Sequence, residues 1–330
     1  MTEEQRRHGR RGSRAAGWAA GVLLLPPTVV AGARLFETDG VTPVPQLLAL
    51  LPWLAVPAGL ALLTAVAARG RVRWALGAWA AAVLAVTVWF IRPYGPDATG
   101  ARGPVAASLR VLTSNVEFGG AVPALIEAAR RERPQLLFVQ ECAPSCVAAL
   151  TAALGERLPH RAQVVAEGSA GSVILSAFPL TDAHALPGTT LGMPGATARI
   201  GGRDVRLRLA HPLPPLPGQV GAWRRELGLL REDAAAARGE PGIVAGDFNS
   251  GQDHEVFRDV LDAGGLHDGA RLAGAARTPS WPANSHVPPW TQLDHVLVGP
   301  DFTVRAARFL DLSRTDHRAL LVELVLHRGR

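Results

Sequence analysis

The chain has 330 residues and a formal net charge of +6, with 34 basic residues, all of them Arg, against 28 acidic ones. The surplus is local: residues 1–103 hold 11 Arg and 5 Asp or Glu, whereas the remainder holds 23 of each. A neutral C-terminal part lacks the basic footprint that tight or processive nucleic-acid binding rewards, and two cysteines are too few for a thiolate metal centre.

Three apolar stretches open the chain, at 15–33, 45–68 and 72–91, each near the roughly 20 residues that cross a hydrocarbon core and none with an interior charge. The first contains Pro26 and Pro27, which predict a kink, and ends in Ala31-Gly32-Ala33, which also fits a signal-peptidase site. Arg6, Arg7, Arg10, Arg11 and Arg14 precede the first stretch, and Arg69, Arg71 and Arg73 separate the second from the third. Between the first two, Arg34 is offset by Glu37 and Asp39. The positive-inside rule then places the N-terminus and the second loop in the cytoplasm and sends the third span outward. Cleavage after Ala33 leaves that conclusion intact. The expectation is a multi-pass membrane region over 1–92 with about three transmembrane helices, and everything after it on the extracytoplasmic side. Trp53, Trp74, Trp79 and Trp89 suit interfacial anchoring.

Residues 93–107 are rich in Pro and Gly without apolar period and read as a tether to a domain over 108–330. In that domain, LRVLTSNVEF is an apolar strand ending on Asn115, and VPALIEAARRER has helical spacing. QLLFVQE ends a second strand on Glu141, followed by a helical segment reaching about Leu158. Strand-like runs follow at 161–166, 172–178 and 204–210, and a long helix is predicted over 220–237. Cys142 and Cys146 flank Pro144; a disulfide is awkward on one helical turn, Pro144 breaks the turn, and both a free pair and a bridge fit the spacing.

The stretch Gly242 to Ser250, GIVAGDFNS, is a buried strand that delivers Asp247 and Asn249 to an open rim, two apart and facing the same way. Such a carboxylate can polarise a water and such an amide can orient the group it attacks. The domain also carries His211 at the end of RLRLAH, Asp294 at the start of DHVLVG, and Asp316 and His317 just before the last apolar run. Polar groups on separate strand ends converge only where the strands share a sheet edge.

This ordered set resembles the endonuclease/exonuclease/phosphatase superfamily, which includes deoxyribonuclease I, abasic-site endonucleases, neutral sphingomyelinases and inositol polyphosphate 5-phosphatases. The resemblance covers about 108–330. It implies an α/β four-layer sandwich, with two mostly antiparallel mixed sheets packed face to face, helices outside and the site at one end. It implies divalent-metal-dependent hydrolysis of phosphodiesters or phosphomonoesters, with Mg2+ or Mn2+ held by Glu141 together with Asn115 and Asp316. Asp247 matches the water-activating Asp, Asn249 the phosphate-holding Asn, and His317 the His over the phosphate, oriented by Asp294. His211 stands where nuclease and sphingomyelinase members carry a His facing the leaving group. Gln135, Gln292, Ser172 and Ala177 depart from the family at flanking positions, which blurs substrate assignment.

His160, His184, His254, His267, His286 and His327 match nothing and read as surface or turn residues, while His295 points away from the face of Asp294. In WPANSHVPPW, Trp281 and Trp290 either pack under their loop or face outward to a lipid interface or a nucleic-acid base. The expected partners are a membrane and a phosphate-ester substrate, with no evident protein partner. Nucleic acid is slightly favoured as substrate by family breadth; a lipid or a small molecule is the alternative. The reading of another class is a catalytically silent binding module on a membrane anchor, against which the full set of acids and histidines argues.

Overall fold

The computed structural model describes residues 3–68, 70–288 and 290–328, with backbone alone for 3–14. The side chains of Arg6, Arg7, Arg10, Arg11, Arg14 and Arg69, on which the orientation argument leans, therefore lie outside the described ones. The chain divides into two units near Pro93.

In the first unit, α1 (Glu3–Leu35) runs unbroken through Pro26 and Pro27. The second apolar stretch is divided: α2 (Val44–Leu48) is followed by a 3-10 turn at Leu51–Leu54 and then by α3 (Ala55–Ala67). Pro45 and Pro52, each in the first turn of a short element, explain the division, because proline opens a helix more readily than it continues one. α4 (Arg71–Phe90) completes the unit. Two segments, Ala15–Leu35 and Arg71–Phe90, are long and apolar enough to cross a membrane, by length and composition; Leu51–Ala67 is shorter. Ala58, Ala61 and Ala65 of α3 are buried with Ala20 and Leu24 of α1 and Ala80 and Val83 of α4, so small residues at helical spacing let three helix backbones approach closely.

In the second unit, β1 (Val105–Asn115), β2 (Leu136–Gln140), β3 (His160–Val164), β4 (Ser172–Ser176), β11 (Phe302–Leu310) and β12 (Ala319–His327) form one sheet in the order β11-β12-β1-β2-β4-β3. The other sheet runs β5-β6-β7-β8-β10-β9, from β5 (Leu180–Ala185), β6 (Pro194–Ile200), β7 (Arg203–Ala210), β8 (Gly242–Asp247), β9 (His267–Asp268) and β10 (Asp294–Val298). Helices α5 (Val122–Glu132) and α6 (Pro144–Leu154) cover the first sheet, α7 (Val220–Ala236) and α8 (Glu255–Gly264) cover the second, and α9 (Gly269–Leu272) is a single turn.

The two-residue period of a strand sorts side chains between three cores. Val111, Leu136 and Phe138 of one sheet meet Leu207, Ala245 and Val296 of the other between the sheets. Their neighbours Leu112, Leu137 and Val139 turn outward onto Leu125 of α5 and Leu150 of α6, and Val244 and Leu297 turn onto Trp223 of α7 and Phe257 of α8. Strands buried on both faces read as continuous apolar runs, as β8 does. Each full burial of such a side chain is worth about 1.5–3 kcal/mol. The expected four-layer α/β sandwich of two mixed sheets is thus the observed fold.

Among the described residues, only β1 with β2 and β7 with β8 pair in parallel, each through a helical crossover. Each pair therefore ends on one side of its sheet, and the Asn115 to Asp247 hydrogen bond brings the two sides together at one end of the sandwich.

Three expectations change. Residues 94–104 are docked on the domain rather than hanging free: the Tyr94 hydroxyl donates to Asp262 Oδ2 at 2.6 Å, Arg271 donates to Asp97 Oδ1 at 2.5 Å, and the Thr99 hydroxyl donates to the Phe302 carbonyl at 2.5 Å. Tyr94 also packs against the apolar cluster beneath α7 and α8, but one aromatic and scattered polar contacts make no apolar period, so composition alone reads the segment as linker. Pro144 starts α6 instead of breaking it, and Cys142, lying before the helix, bridges to Cys146 with 5.2 Å between their Cα atoms. His254 is fully buried, not at the surface.

Candidate active site

The sheet edge gathers the polar strand ends. Asn115 closes β1, Glu141 follows β2, His211 follows β7 and Asp247 closes β8. Asp294 opens β10 directly opposite Asp247 in the antiparallel register, and His317 stands two residues before β12. Gly246 makes this possible: its φ is +156°, and a Cβ there would lie 1.9 Å from the Ala210 carbonyl oxygen, so only glycine lets β7 and β8 close beside His211 and Asp247. Glu141 and Asn249 themselves have positive φ of 57° and 46°, backbone strain held at the rim by the surrounding structure.

The Asn115 amide bridges two acids, donating to Glu141 Oε1 at 3.1 Å and to Asp247 Oδ2 at 3.2 Å, while its own oxygen accepts from the Glu117 amide. Glu141 Oε2 accepts from the Phe118 amide at 3.0 Å. The Asn249 backbone amide donates to Asp247 Oδ1 at 2.9 Å, and the Asn249 side chain donates to the Pro212 carbonyl. His317 Nδ1 lies 2.9 Å from Asp294 Oδ2, which fixes the ring and leaves Nε2 3.6 Å from Asp247 Oδ2 and 3.8 Å from Asp316 Oδ1. His211 Nε2 lies 3.9 Å from Glu141 Oε1.

Burial and charge push these groups apart in proton affinity. Burial holds His211 at about 4, so its ring is neutral at pH 7. Burial would lower His317 too, but Asp294 and Asp247 outweigh it and raise the ring to about 10. Burial raises the Asp247 carboxyl, against the opposing pull of His317. Glu141 is raised by burial, against its hydrogen bonds from Asn115 and the Phe118 amide. The edge therefore combines a held proton, a neutral imidazole and a carboxylate biased to accept one.

All eight residues singled out in the sequence, Asn115, Glu141, His211, Asp247, Asn249, Asp294, Asp316 and His317, lie at this end of the sandwich. The Asn249 side-chain nitrogen is turned to the Pro212 carbonyl and not to the acids. His295 points away, as its strand position requires, onto Asp268 and between Phe248 and Phe257. Four supports escaped the sequence reading. The Trp281 indole donates to Asp316 Oδ2 at 2.9 Å, the Ser280 hydroxyl receives the amides of Leu293 and Asp294, the Thr315 hydroxyl joins the Asn115 carbonyl to the His317 amide, and the Trp223 indole donates to the Asn249 carbonyl. Only the T-D-H run pointed to one of them; Trp281 and Ser280 are distant in sequence from what they hold.

A divalent cation suits this acid set. Two carboxyls, Glu141 and Asp247, are raised by burial while sharing one amide, and Asp294 Oδ1 is buried with no hydrogen-bond partner. Positive charge is what such a cluster lacks. Asp247, Asp294 and His317 offer ligand atoms within 4.8 Å of one another. The Asp294 to His317 hydrogen bond already engages that pair, and Mg2+ prefers oxygen to imidazole, so Glu141 is the better first ligand.

A sandwich of two mixed sheets with acids and histidines gathered at one edge is the architecture of deoxyribonuclease I-like phosphoesterases. The Endonuclease/Exonuclease/phosphatase family model matches residues 112–317, and the chain belongs to that family, whose members are typically phosphoester hydrolases and generally depend on a divalent metal. A search of curated proteins returns no match. Among solved structures the fold is similar to humanized TDP2 of D. rerio, at 16% identity and a TM-score of 0.54, covering 66% of this chain and 98% of that one. It is similar to an endonuclease/exonuclease/phosphatase from Beutenbergia cavernae, at 21% identity and a TM-score of 0.53, covering 67% and 72%. Sphingomyelinase C from Streptomyces griseocarneus aligns at 16% identity with a TM-score of 0.51, covering 66% and 99%.

Proposed function

We propose that the chain is a divalent-metal-dependent phosphoester hydrolase, carried on a membrane-spanning N-terminal region with its catalytic domain outside the cytoplasm. The observation that carries the catalytic reading is the convergence of polar side chains from separate strand ends at one sheet edge: the Asn115 amide joins Glu141 to Asp247, and Asp294 fixes the His317 ring with its Nε2 3.6 Å from Asp247. Glu141, with Asn115 and Asp316 beside it, would hold Mg2+ or Mn2+. The bound cation supplies neutral balance for phosphate charge. Asp247 takes the proton of the attacking water, and its raised affinity suits it to do so near neutral pH. Its 2.9 Å bond from the Asn249 amide keeps the accepting carboxylate oriented. His317, fixed through Nδ1, turns its Nε2 proton toward a phosphoryl oxygen. His211, at the adjacent end of β7, serves the leaving oxygen.

The test is hydrolysis of bis(p-nitrophenyl) phosphate by the purified full chain, first in EDTA and then after adding Mg2+ or Mn2+. Activity is expected only with metal. Glu141→Gln, which keeps shape and removes charge, should lower the rate by orders of magnitude, with partial recovery at high Mg2+. Metal-independent turnover, or wild-type rates for the variant at low Mg2+, would remove Glu141 from the role assigned to it. No turnover of any phosphoester with an intact fold would favour the silent binding module.

A further inference from the structure

Among the described residues of the second unit, six large apolar side chains are exposed: Val105, Phe118, Val165, Leu216, Trp281 and Val287, at 37% to 70% of their full accessibility. Single exposed apolar residues are ordinary. Their placement here is not. Phe118 follows β1, Val165 follows β3, and Leu216 lies in the segment after β7, while Trp281 and Val287 lie in the segment that leads into β10. The pairings of Val164 with Ser172, Gln140 with Ser172 and Asp294 with Asp247 put all these strand ends at the edge that holds the acids and histidines. Only Val105, at the start of β1, stands at the other end.

Five exposed apolar side chains thus lie on four connections, each leaving or entering a strand at the edge that holds the polar site. Spread over separate connections, they suit a broad apolar phase better than a folded protein partner. The charge pattern agrees: residues 104–330 carry 23 Arg and 23 acids, so neither a polyanion nor a strongly charged surface is selected. The same chain carries two segments long and apolar enough to cross a membrane, which would keep a bilayer within reach of the domain.

We infer that these side chains ring the site and dock the catalytic domain on a lipid bilayer, and that the phosphoester it meets there is the headgroup of an amphiphile held in that bilayer. The substrate clause rests on the phosphoesterase reading; the docking clause does not. Phe118 and Trp281 belong to both the ring and the site, since the Phe118 amide bonds Glu141 and the Trp281 indole bonds Asp316. Contact with lipid is thereby coupled directly to two of the acids.

The experiment uses the full chain in nanodiscs of phosphatidylcholine and phosphatidylglycerol. The native cysteines are joined to each other, so a single introduced cysteine takes an environment-sensitive fluorophore alone. A label at Val287→Cys should shift to the blue and be quenched by spin-labelled lipid; one at Val105→Cys should do neither. The shift should persist at high salt, because insertion of neutral apolar groups is not screened. In parallel, the triple variant V165S/L216S/V287S should hydrolyse bis(p-nitrophenyl) phosphate at the wild-type rate but release lipid phosphate from the discs about tenfold more slowly, since each apolar side chain removed weakens partition. Labels that both stay aqueous would overturn the docking, as would equal loss on both substrates. Docked labels with wild-type cleavage of DNA and untouched lipid would overturn the lipid substrate. Failure of the wild type on the soluble ester, with the labels docked, would instead strike the phosphoesterase reading.

Discussion

At the scale of single residues, the site depends on supports that contribute no chemistry of their own. Trp281 is a positioning residue: its N–H holds Asp316 Oδ2 and leaves Oδ1 facing His317. Trp281→Phe keeps the ring and removes the donor. It should lower kcat by about tenfold, raise the Mg2+ concentration for half-maximal rate and leave KM and Tm nearly unchanged, because a hydrogen bond to a charged group at a partly exposed site is worth roughly 1–3 kcal/mol. A purely packing role would lower Tm without moving the Mg2+ dependence. Proton linkage gives a second prediction. His211 has a folded value near 4 and an unfolded value near 6.5, so the unfolded state binds the extra proton and stability is lost as pH falls from 6.5 toward 4. His317 has the opposite sign: its contribution is full below 6.5 and is lost as pH rises through about 10. His211→Gln should therefore gain on the wild type in unfolding free energy as pH drops below 6.5 in EDTA, by an amount on the order of 3 kcal/mol when fully developed. Parallel pH profiles for the two proteins would contradict a neutral buried His211. Asp247, Asp294 and His317 were legible in the sequence because each ends or opens an apolar run. Trp281 and Ser280 were not, because a donor placed by a loop leaves no period to read.

At the scale of elements, the strands that carry the site are those whose sequence states their burial. β8 is apolar throughout and buried throughout, and its parallel partner β7 ends on His211. β5, by contrast, reads LTDAHA, is almost wholly exposed at the edge of its sheet, and has neither alternation nor an apolar run to announce it. β6 was hidden for a related reason: its sequence, PGATARI, packs small residues, and Gly195 leaves room for the Arg208 guanidinium that bonds Asp233. The prediction at this scale concerns the junction of β7 and β8. Gly246→Ala puts a methyl group where the Ala210 carbonyl already lies, at a backbone angle that side chains rarely adopt. The variant should lose at least about 3 kcal/mol and should lose activity with the fold, measured by urea unfolding and circular dichroism. A stable, inactive variant would mean that the strands part at the site without disturbing the core. A stable and active one would show that the close approach is dispensable.

At the scale of the whole molecule, the distribution of Arg carries the argument about sidedness. Arg71 and Arg73 sit in the first turn of α4, so the beginning of that helix is the end the positive-inside rule keeps in the cytoplasm. The divided second stretch bears on this. If Leu51–Ala67 did not cross, two crossings from a cytoplasmic N-terminus would leave Arg71 and Arg73 outside and return the domain to the cytoplasm. Its 3-10 turn and α3 together extend about 27 Å, close to the thickness of a hydrocarbon core, and its alanines pack with both α1 and α4. The proposed three crossings would place Arg71 and Arg73 on the side that the positive-inside rule favours, and two crossings would not. A C-terminal alkaline phosphatase fusion should then be active in bacterial cells, while a reporter that works only in the cytoplasm should be silent at the same position. Under the proposed topology, replacing Arg71 and Arg73 with Ala should reduce that phosphatase signal, since fewer positive charges would then favour a cytoplasmic start of α4. An active cytoplasmic reporter on the unmodified chain would establish the two-crossing arrangement and place the catalytic domain inside the cell.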